Sequence, residues 1–413
     1  MKRALIVGGS LGGLFAAHLL RSIGWDVTVF ERVKEDLASR GAGIGTHDAL
    51  DEIMARIGRD VGGMGVVVRS AISLAKNGAI AETMPIRRVM SAWSTYYRPL
   101  RAALPEGAYR AGMTLARVEQ KADRVTAIFA DGARAEGELL IAADGMRSTV
   151  RAQFLPESEP AYAGYIAWRG LAGEAELAAP TRSIFESFSH SMPPGEQALS
   201  YAVPGREGET GAGERSFNFV WYRPADADEL ARLCTDDGGR CHGTSIPPPL
   251  IRREVIAEVK EAGRTLLAPQ MAAFIVGPAP LFFQPIFDLT ASKIVFGRVA
   301  LLGDAGFVAR PHVGAGVTKA AIDAACLADA LSAAAHDVPA ALAEYGRAQA
   351  RFGDALVMRG REMGAYLEGR AATRLPLWVM REHSAKLKSV RPETGGRRSG
   401  WLRPDPRFDY YYD

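Results

Sequence analysis

The 413-residue chain is longer than one compact core usually holds and is 48% apolar, so a globular protein of two domains is expected. Its net charge of +3 comes without a dense Lys/Arg block before the tail, which argues against a nucleic-acid-binding face, and no apolar stretch approaches the roughly 18 residues of a membrane span. Cys234, Cys241 and Cys326 are too few for a disulfide framework, Cys241-His242 has no second pair at metal-ligand spacing, and a strand stands at the N-terminus in place of a leader, so no metal and a cytoplasmic location are expected.

The chain opens on a βαβ pattern. Ala4-Leu5-Ile6-Val7 reads as a short buried strand and Gly8-Gly9-Ser10-Leu11-Gly12-Gly13 as a tight turn. Residues 14–23 read as an apolar helix, and residues 26–30 as a second strand that ends at Glu31. In such a unit the first glycine makes the turn, the later ones let helix and backbone approach, and a pyrophosphate sits over the helix N-terminus. Glu31 lies about twenty residues on, where an acid accepts from ribose hydroxyls, which points to an adenosine dinucleotide without a 2′-phosphate. Ser10 replaces the middle glycine of the fingerprint; it is small, and its hydroxyl can itself meet a phosphate. Gly8, Ser10, Leu11, Gly12, Gly13, Glu31 and Arg32 are the expected cofactor contacts of this unit.

Further along, Ser39-Arg40-Gly41-Ala42-Gly43-Ile44 reads as a loop, and His47 follows Gly45-Thr46. Residues 99–104 read as a short helix with Arg101 early in it, and residues 117–129 as a hairpin. Residues 138–141 read as a parallel strand that leads into Asp144-Gly145-Met146-Arg147-Ser148-Thr149-Val150-Arg151. Taken alone, that is a strand-to-helix turn with Ser148 as cap. Val66-Val67-Val68, residues 197–203 and residues 216–222 read as strands of a mostly antiparallel sheet, with Trp168, Trp221 and Tyr222 alternating on them. Residues 251–262 read as a helix. Residues 299–302 form a buried strand, followed by Gly303-Asp304-Ala305-Gly306, then Arg310-Pro311-His312-Val313-Gly314-Ala315-Gly316, then an Ala-rich helix at 320–331. This layout puts a carboxylate and a helix N-terminus around one ligand: the acid suits sugar or ribityl hydroxyls, the helix start an anionic group. From about residue 340 the chain reads as helical. The tail from 391 onward, rich in Arg, Gly, Pro and Tyr, has no period and is expected to be partly ordered.

The three motifs in this order, over about residues 1–335, resemble the group A flavoprotein monooxygenases, which are single-component FAD-dependent aromatic hydroxylases. Gly164-Tyr165-Ile166-Ala167-Trp168-Arg169-Gly170, Asn218-Phe219-Val220-Trp221-Tyr222-Arg223 and Arg310-Pro311-His312 resemble the 2,6-dihydroxypyridine 3-hydroxylase branch. Gly306-Phe307 departs from the common family form, which has His after Gly-Asp-Ala-Ala.

The resemblance implies an α/β (α+β) fold of the para-hydroxybenzoate hydroxylase kind. A Rossmann-like FAD-binding domain (1–70, 98–165 and 286–345) interleaves with an antiparallel-sheet substrate domain (71–97 and 166–285), and C-terminal helices and a tail follow (346–413). It implies that Asp144 and Asp304 belong to the FAD site, Asp304 on the ribityl chain unless it merely caps a helix. Pro311, Gly314, Ala315 and Gly316 would lie beside the isoalloxazine. Arg40 would meet FAD phosphate or ring, or stay solvated, and Arg101 would touch the cofactor where the family's own Arg is replaced by Tyr97 or displaced to Arg98. His47 and His312 are rival candidates for taking a proton from a substrate hydroxyl, each also readable as a structural donor; Tyr222 lines the aromatic slot or is plain core. NADH or NADPH would reduce FAD without a nucleotide fold of its own. O₂ would then give a C4a-hydroperoxyflavin, attacked by a hydroxylated aromatic or pyridine-type ring. A homodimer is common among relatives. The alternatives are an FAD reductase, epoxidase or other flavoenzyme on the same fold, or a non-catalytic flavin-binding sensor.

Overall fold

The computed structural model describes residues 2–39, 43–59 and 64–369. Three short runs, Arg3–Val7, Leu139–Ala142 and Val299–Leu301, are apolar almost throughout and buried on both faces, the signature of parallel strands covered by helices. They join Asp26–Glu31 and Tyr109–Ala111 in parallel, and Val295–Phe296 adds an antiparallel edge. Across the sheet the order is 295–296, 299–301, 139–142, 3–7, 26–31, 109–111. Register aligns the strand ends: Val7 lies beside Ala142, and Ala142 beside Leu301. The turns that follow these strands therefore meet at one edge, the carboxyl end where open α/β sheets bind ligands. Helices Leu11–Ser22 and Gly316–Ala333 leave that edge and pack on each other, and the long Val338–Gly364 helix covers the second of them.

A nine-stranded sheet stands against this unit. Its order is 307–308, 281–290, 161–173, 216–224, 197–203, 187–191, 66–74, 80–92, 43–45, and every pairing is antiparallel except that of Ser187–Ser191 with Val66–Leu74. Strand alternation divides its side chains. Phe217, Phe219 and Trp221 point to one face, Trp168 stands directly opposite Trp221, and helices Arg253–Leu266 and Pro269–Val276 cover them. Val220 and Tyr222 point to the other face, with Leu199 and Tyr201 of the next strand. A small antiparallel sheet of Leu115–Gln120, Val125–Phe129 and Arg134–Gly137 completes the fold and packs Phe129 on Phe30.

Two elements differ from the sequence reading: the loop expected at 39–44 contributes to strand Gly43–Gly45, and a helix is displaced. The helix expected at 99–104 runs over Trp93–Ala102, so Arg101 sits in its last turn rather than early in it. Pro99 resembles a helix-start residue, yet stacked Trp93 and Tyr97, 4.6 Å apart, and buried Tyr96 and Leu100 carry the helix on either side of it. No helix among the described residues is long and apolar enough to cross a membrane. The 391–413 tail lies outside the described residues.

Candidate active site

The glycine turn is shaped by close backbone packing. Gly8 has φ +105°, and a Cβ there would stand 2.2 Å from the Ala143 carbonyl oxygen; a Cβ at Gly13 would stand 1.9 Å from the Gly8 carbonyl oxygen. The helix opening at Leu11 has Ser10 as its N-cap residue, but the Ser10 hydroxyl makes no cap bond and no acid lies in the first turn. Its first amides are thus left for an outside acceptor. At the end of the second strand, buried Glu31 accepts from the main-chain N–H groups of Gly9 (2.8 Å) and Val33 (2.9 Å).

The two aspartate turns are braced from behind. Ser148 caps the Thr149–Phe154 helix by accepting from Arg151 N at 2.9 Å. The buried Arg151 guanidinium then donates to the carbonyls of Met146, Ser158 and Ala305 and so ties the Asp144 turn to the Asp304 turn. Asp144 accepts from Val150 N at 3.3 Å, and burial pushes its carboxyl above the usual range. Gly303 N donates to Asp323 at 2.8 Å, whose other oxygen accepts from Gln349. Asp323 is fully buried, and its pKa is raised to about 6 by that burial, against the pull of Lys319. Lys319, 1% exposed, donates to the Phe307 carbonyl and pairs with Asp304 at 3.0 Å, while Asp304 itself stays half exposed at the turn. The Gly316–Ala333 helix, like the first, begins without a side-chain cap or an acid in its first turn.

Between these turns and the nine-stranded sheet runs one cavity of about 1120 Å³. Ser10, Leu11 and Gly12 border one end; Asp304 and residues 311–316 border its middle; Arg88, Arg169, Tyr201 and Tyr222 form the wall on the sheet. His47 Nδ1 is hydrogen-bonded to Thr318 Oγ1 at 2.9 Å, which joins the loop after the second strand to the helix after the Gly314 turn. His312 Nε2 is bonded to the Tyr165 hydroxyl at 2.8 Å, and the His312 ring lies 4.5 Å from that of Tyr222. Burial, helped by the neighbouring Arg310, lowers His312 to a pKa of about 3, so the imidazole is neutral. Burial likewise raises Tyr165 and Tyr222, the latter to about 12. The floor is an ion cluster: Asp288 accepts from Arg310 at 2.7 Å and from Arg361 at 2.5 Å, and Arg310 also pairs with Glu368.

A dinucleotide with a ribityl chain calls for N–H groups at its phosphates, hydroxyl acceptors along its length, and turns clear of bulky side chains. Two uncapped helix starts, the half-exposed Asp304 and a glycine turn with no room for a Cβ supply that set, so the residues present fit FAD. The comparisons agree. A family model described as an FAD binding domain matches residues 1–185, and one described as FAD binding domain-like matches residues 162–288. The chain is 30% identical to the 2,6-dihydroxypyridine 3-monooxygenase of Paenarthrobacter nicotinovorans, over 89% of this chain and 91% of that one. It belongs to the single-component FAD-dependent hydroxylases. Among solved structures, the 2,6-dihydroxypyridine-3-hydroxylase from Arthrobacter nicotinovorans superposes with a TM-score of 0.83 at 30% identity, covering 90% of this chain and 94% of that one. The FAD-dependent urate hydroxylase of Klebsiella pneumoniae is 28% identical over 96% of both chains.

As a member of this hydroxylase family the chain is a flavin-dependent monooxygenase with FAD as cofactor, on the α/β fold expected. The cavity gathers Ser10, Leu11, Gly12, His47, Asp304, Pro311, His312, Gly314, Ala315, Gly316 and Tyr222 of the residues singled out in the sequence. Gly8 and Gly13 shape the turn behind it, and Asp144 serves the Thr149–Phe154 helix start while its neighbours Ala143 and Gly145 face the cavity. Arg32 is exposed and stands outside the cavity. Arg101 covers the Tyr109 ring at 3.8 Å, and the Tyr109 hydroxyl donates to the Gly9 carbonyl of the glycine turn. Arg40 lies outside the described residues. Sequence reasoning missed Arg88, Arg169, Tyr165, Thr318 and Lys319. Tyr165 and Arg169 stood inside the Gly164–Gly170 stretch without being singled out, and Lys319 left a trace as the single charge in the run from Val317 to Ile322.

Proposed function

We propose that this chain hydroxylates a ring bearing hydroxyl or carbonyl groups, aromatic or pyridine-type, using O₂ and electrons from NADH or NADPH. The observation that carries this reading is the continuous cavity that runs from the glycine turn to the aromatic wall, so cofactor and ring would share one space. Relatives named for dihydroxypyridine and urate support the ring class. The six-stranded sheet would serve the cofactor and the nine-stranded sheet the ring. The domain bounds proposed are those of the sequence, residues 1–70, 98–165 and 286–345 for the cofactor, 71–97 and 166–285 for the ring and 346–413 closing the chain, although the nine-stranded sheet also draws strands 43–45, 66–74, 281–290 and 307–308 from the cofactor segments or their borders.

FAD would be held by the Gly8–Gly13 turn and Ser10 at its phosphates, Glu31 at the ribose, Asp304 at the ribityl chain, and Gly314 to Gly316 with Pro311 at the ring edge. Bound there, FAD supplies activation of O₂ and transfer of one oxygen atom to the substrate. The protein's own part is positional and electrostatic. The uncapped start of the Gly316–Ala333 helix favours negative charge at its mouth. Tyr222, Tyr201 and Phe188 offer the ring aromatic surface. His312 is neutral and too costly to protonate, so it orients the ring by hydrogen bonding rather than by taking a proton, and Tyr165 fixes its imidazole. The proton of a substrate hydroxyl then falls to His47, held by Thr318.

The test is NADH and NADPH oxidation by the FAD-loaded protein, with O₂ uptake and product mass, across hydroxypyridines, hydroxybenzoates and oxidised purines. Oxidation stimulated by a ring, with a product heavier by one oxygen atom, is the expected result. NAD(P)H oxidation that consumes no O₂ would assign the chain to the reductases instead.

A further inference from the structure

Five of the chain's twelve methionines line the cavity, and they come from four separate elements, so no single Met-rich run accounts for them. Met84 and Met90 lie on strand Ile80–Ala92 and Met146 in the Asp144 turn. Met192 follows strand Ser187–Ser191, and Met363 sits in the last turn of the Val338–Gly364 helix. Met90 is buried in a core cluster with Val68 and Tyr201, whereas Met84, Met146, Met192 and Met363 are half-buried.

Three of them collect at the aromatic end. Register sets Met84 opposite Ala71 and Ala71 opposite Phe188, which stacks on Tyr201 with ring centroids 5.2 Å apart. Residues directly opposite share a face of the sheet, so Met84 stands in the row of Phe188, across a side chain too small to screen it. Met192 and Met363 approach from elsewhere: Tyr366 donates to the carbonyl of Pro193, beside Met192, at 3.0 Å. A Cβ at Gly364, next to Met363, would stand 3.3 Å from His312 Nε2, and one at Gly314 would stand 3.1 Å from an Arg88 guanidinium nitrogen. The elements that carry Met363 and Met84 therefore both reach the Pro311–Gly314 turn. Leucine fills such positions at similar volume and with better-defined rotamers. What methionine adds is a polarisable sulfur that accepts an oxygen atom.

We propose that Met84, Met192 and Met363 are self-oxidation sites: when no ring fills the slot, the oxygen atom meant for it goes to one of their sulfurs. This rests on the monooxygenase assignment for the source of the oxygen and on the proposed function for the place of the ring. The step balances. O₂ takes two electrons from the reduced cofactor and two from sulfur, its O–O bond breaks, an S–O bond forms, and the second oxygen leaves with two protons as water. The thioether becomes a sulfoxide, which is polar and which reductases of the cell can return to the thioether. An idle cavity thus marks its own wall reversibly.

The measurement is a peptide mass map of the FAD-loaded protein after repeated cycles without any ring. In each cycle the flavin is reduced with stoichiometric dithionite under nitrogen and reoxidised in air, with catalase in the solution to remove peroxide from the bulk. Met358 lies on the same helix as Met363, is 44% exposed and stands outside the cavity, so it reports oxidation from solvent. Met271, fully buried in the core, reports unfolding. The expected result is one added oxygen atom at Met84, Met192 and Met363 to about five times the extent at Met358, with Met271 unchanged. In a run without catalase, the triple variant Met84→Leu, Met192→Leu, Met363→Leu should release more hydrogen peroxide per flavin reoxidised than the unaltered protein, because O₂ reduced by two electrons with no acceptor leaves as peroxide. Oxidation at the three sites no greater than at Met358 would overturn the proposal, as would equal peroxide release from the two proteins. Should the triple variant fail to hold FAD, the map of the unaltered protein decides. Oxidised methionines in a protein that oxygenates no hydroxypyridine, hydroxybenzoate or oxidised purine would leave self-oxidation standing and sink the ring-hydroxylase reading. Oxygenation of a ring by a protein whose three thioethers survive the cycles would do the reverse.

Discussion

His312 is enclosed by Tyr165, Tyr222 and Arg310, and its neutrality has a thermodynamic consequence. Its pKa falls to about 3 on folding, from an ordinary value of 6.5. Between those limits the unfolded chain binds the proton and the folded chain does not, so this residue's contribution is lost progressively as pH falls from about 6.5 toward 3. His312→Gln should therefore flatten the acid side of the stability curve, seen as a smaller drop in urea midpoint between pH 7 and pH 4. Asp323 acts in the opposite sense. Its raised pKa of about 6 means the folded protein holds a proton there that the unfolded chain releases, so its contribution declines as pH rises from about 4 through 6. Asp323→Ala leaves Gly303 N–H and the Gln349 amide unpaired and should cost about 3 kcal/mol in urea unfolding. Residues of this kind are hard to read from sequence. Arg88, Arg169 and Lys319 look like surface charges in a linear string. Only the folding of strands 80–92 and 161–173 into one nine-stranded sheet, and the packing of the Gly316–Ala333 helix, bring them to the cavity.

At the scale of elements, the turns at the carboxyl edge of the parallel sheet were legible because their chemistry is local. A strand buried on both faces gives an unbroken apolar run, and a dinucleotide turn needs its glycines at fixed positions. Gly8→Ala would place a methyl group 2.2 Å from the Ala143 carbonyl at a φ of +105°. The variant should purify with little or no FAD, measured as the ratio of flavin to protein absorbance. Ser148→Ala removes the cap of the helix that carries Arg151 and should cost about 1 kcal/mol, read as a shift in urea midpoint. The Trp93–Ala102 helix was misread because Pro99 carries a helix-start signal that packing overrides: stacked Trp93 and Tyr97 lie upstream of it. Arg101 thereby falls in the last turn of that helix, over the Tyr109 ring.

On the scale of the whole molecule, Asp288 joins the nine-stranded sheet to the end of the long Val338–Gly364 helix through Arg310 and Arg361. The chain just beyond that helix lines the cavity with Tyr366 and Leu367, and Tyr366 donates to the Pro193 carbonyl across it. Asp288→Asn leaves two guanidiniums short of charge and should destabilise the protein by about 3–5 kcal/mol. It should also raise KM for the ring more than it lowers kcat, because the cavity wall loosens while the cofactor turns stay intact. The interleaving of the two sheets was legible in outline, since the three motifs are spread along the chain, but strand order was not. Nothing local tells residues 187–191 to pair in parallel with residues 66–74.

That strand order sets a timetable for synthesis. When a ribosome has released residue 142, four strands of the six-stranded sheet are already outside the tunnel, yet the strand at 299–301 that must lie beside residues 139–142 does not exist. Nor does the helix at 316–333 that covers the first helix. Until about residue 333 has emerged, the face of Leu11–Ser22 that meets the 316–333 helix stays uncovered and the Asp304 turn is incomplete, so the nascent chain can neither close that surface nor complete its cofactor site. Loading of FAD is thus deferred to the last fifth of translation, and the half-made protein is a client for whatever holds unfinished chains in solution.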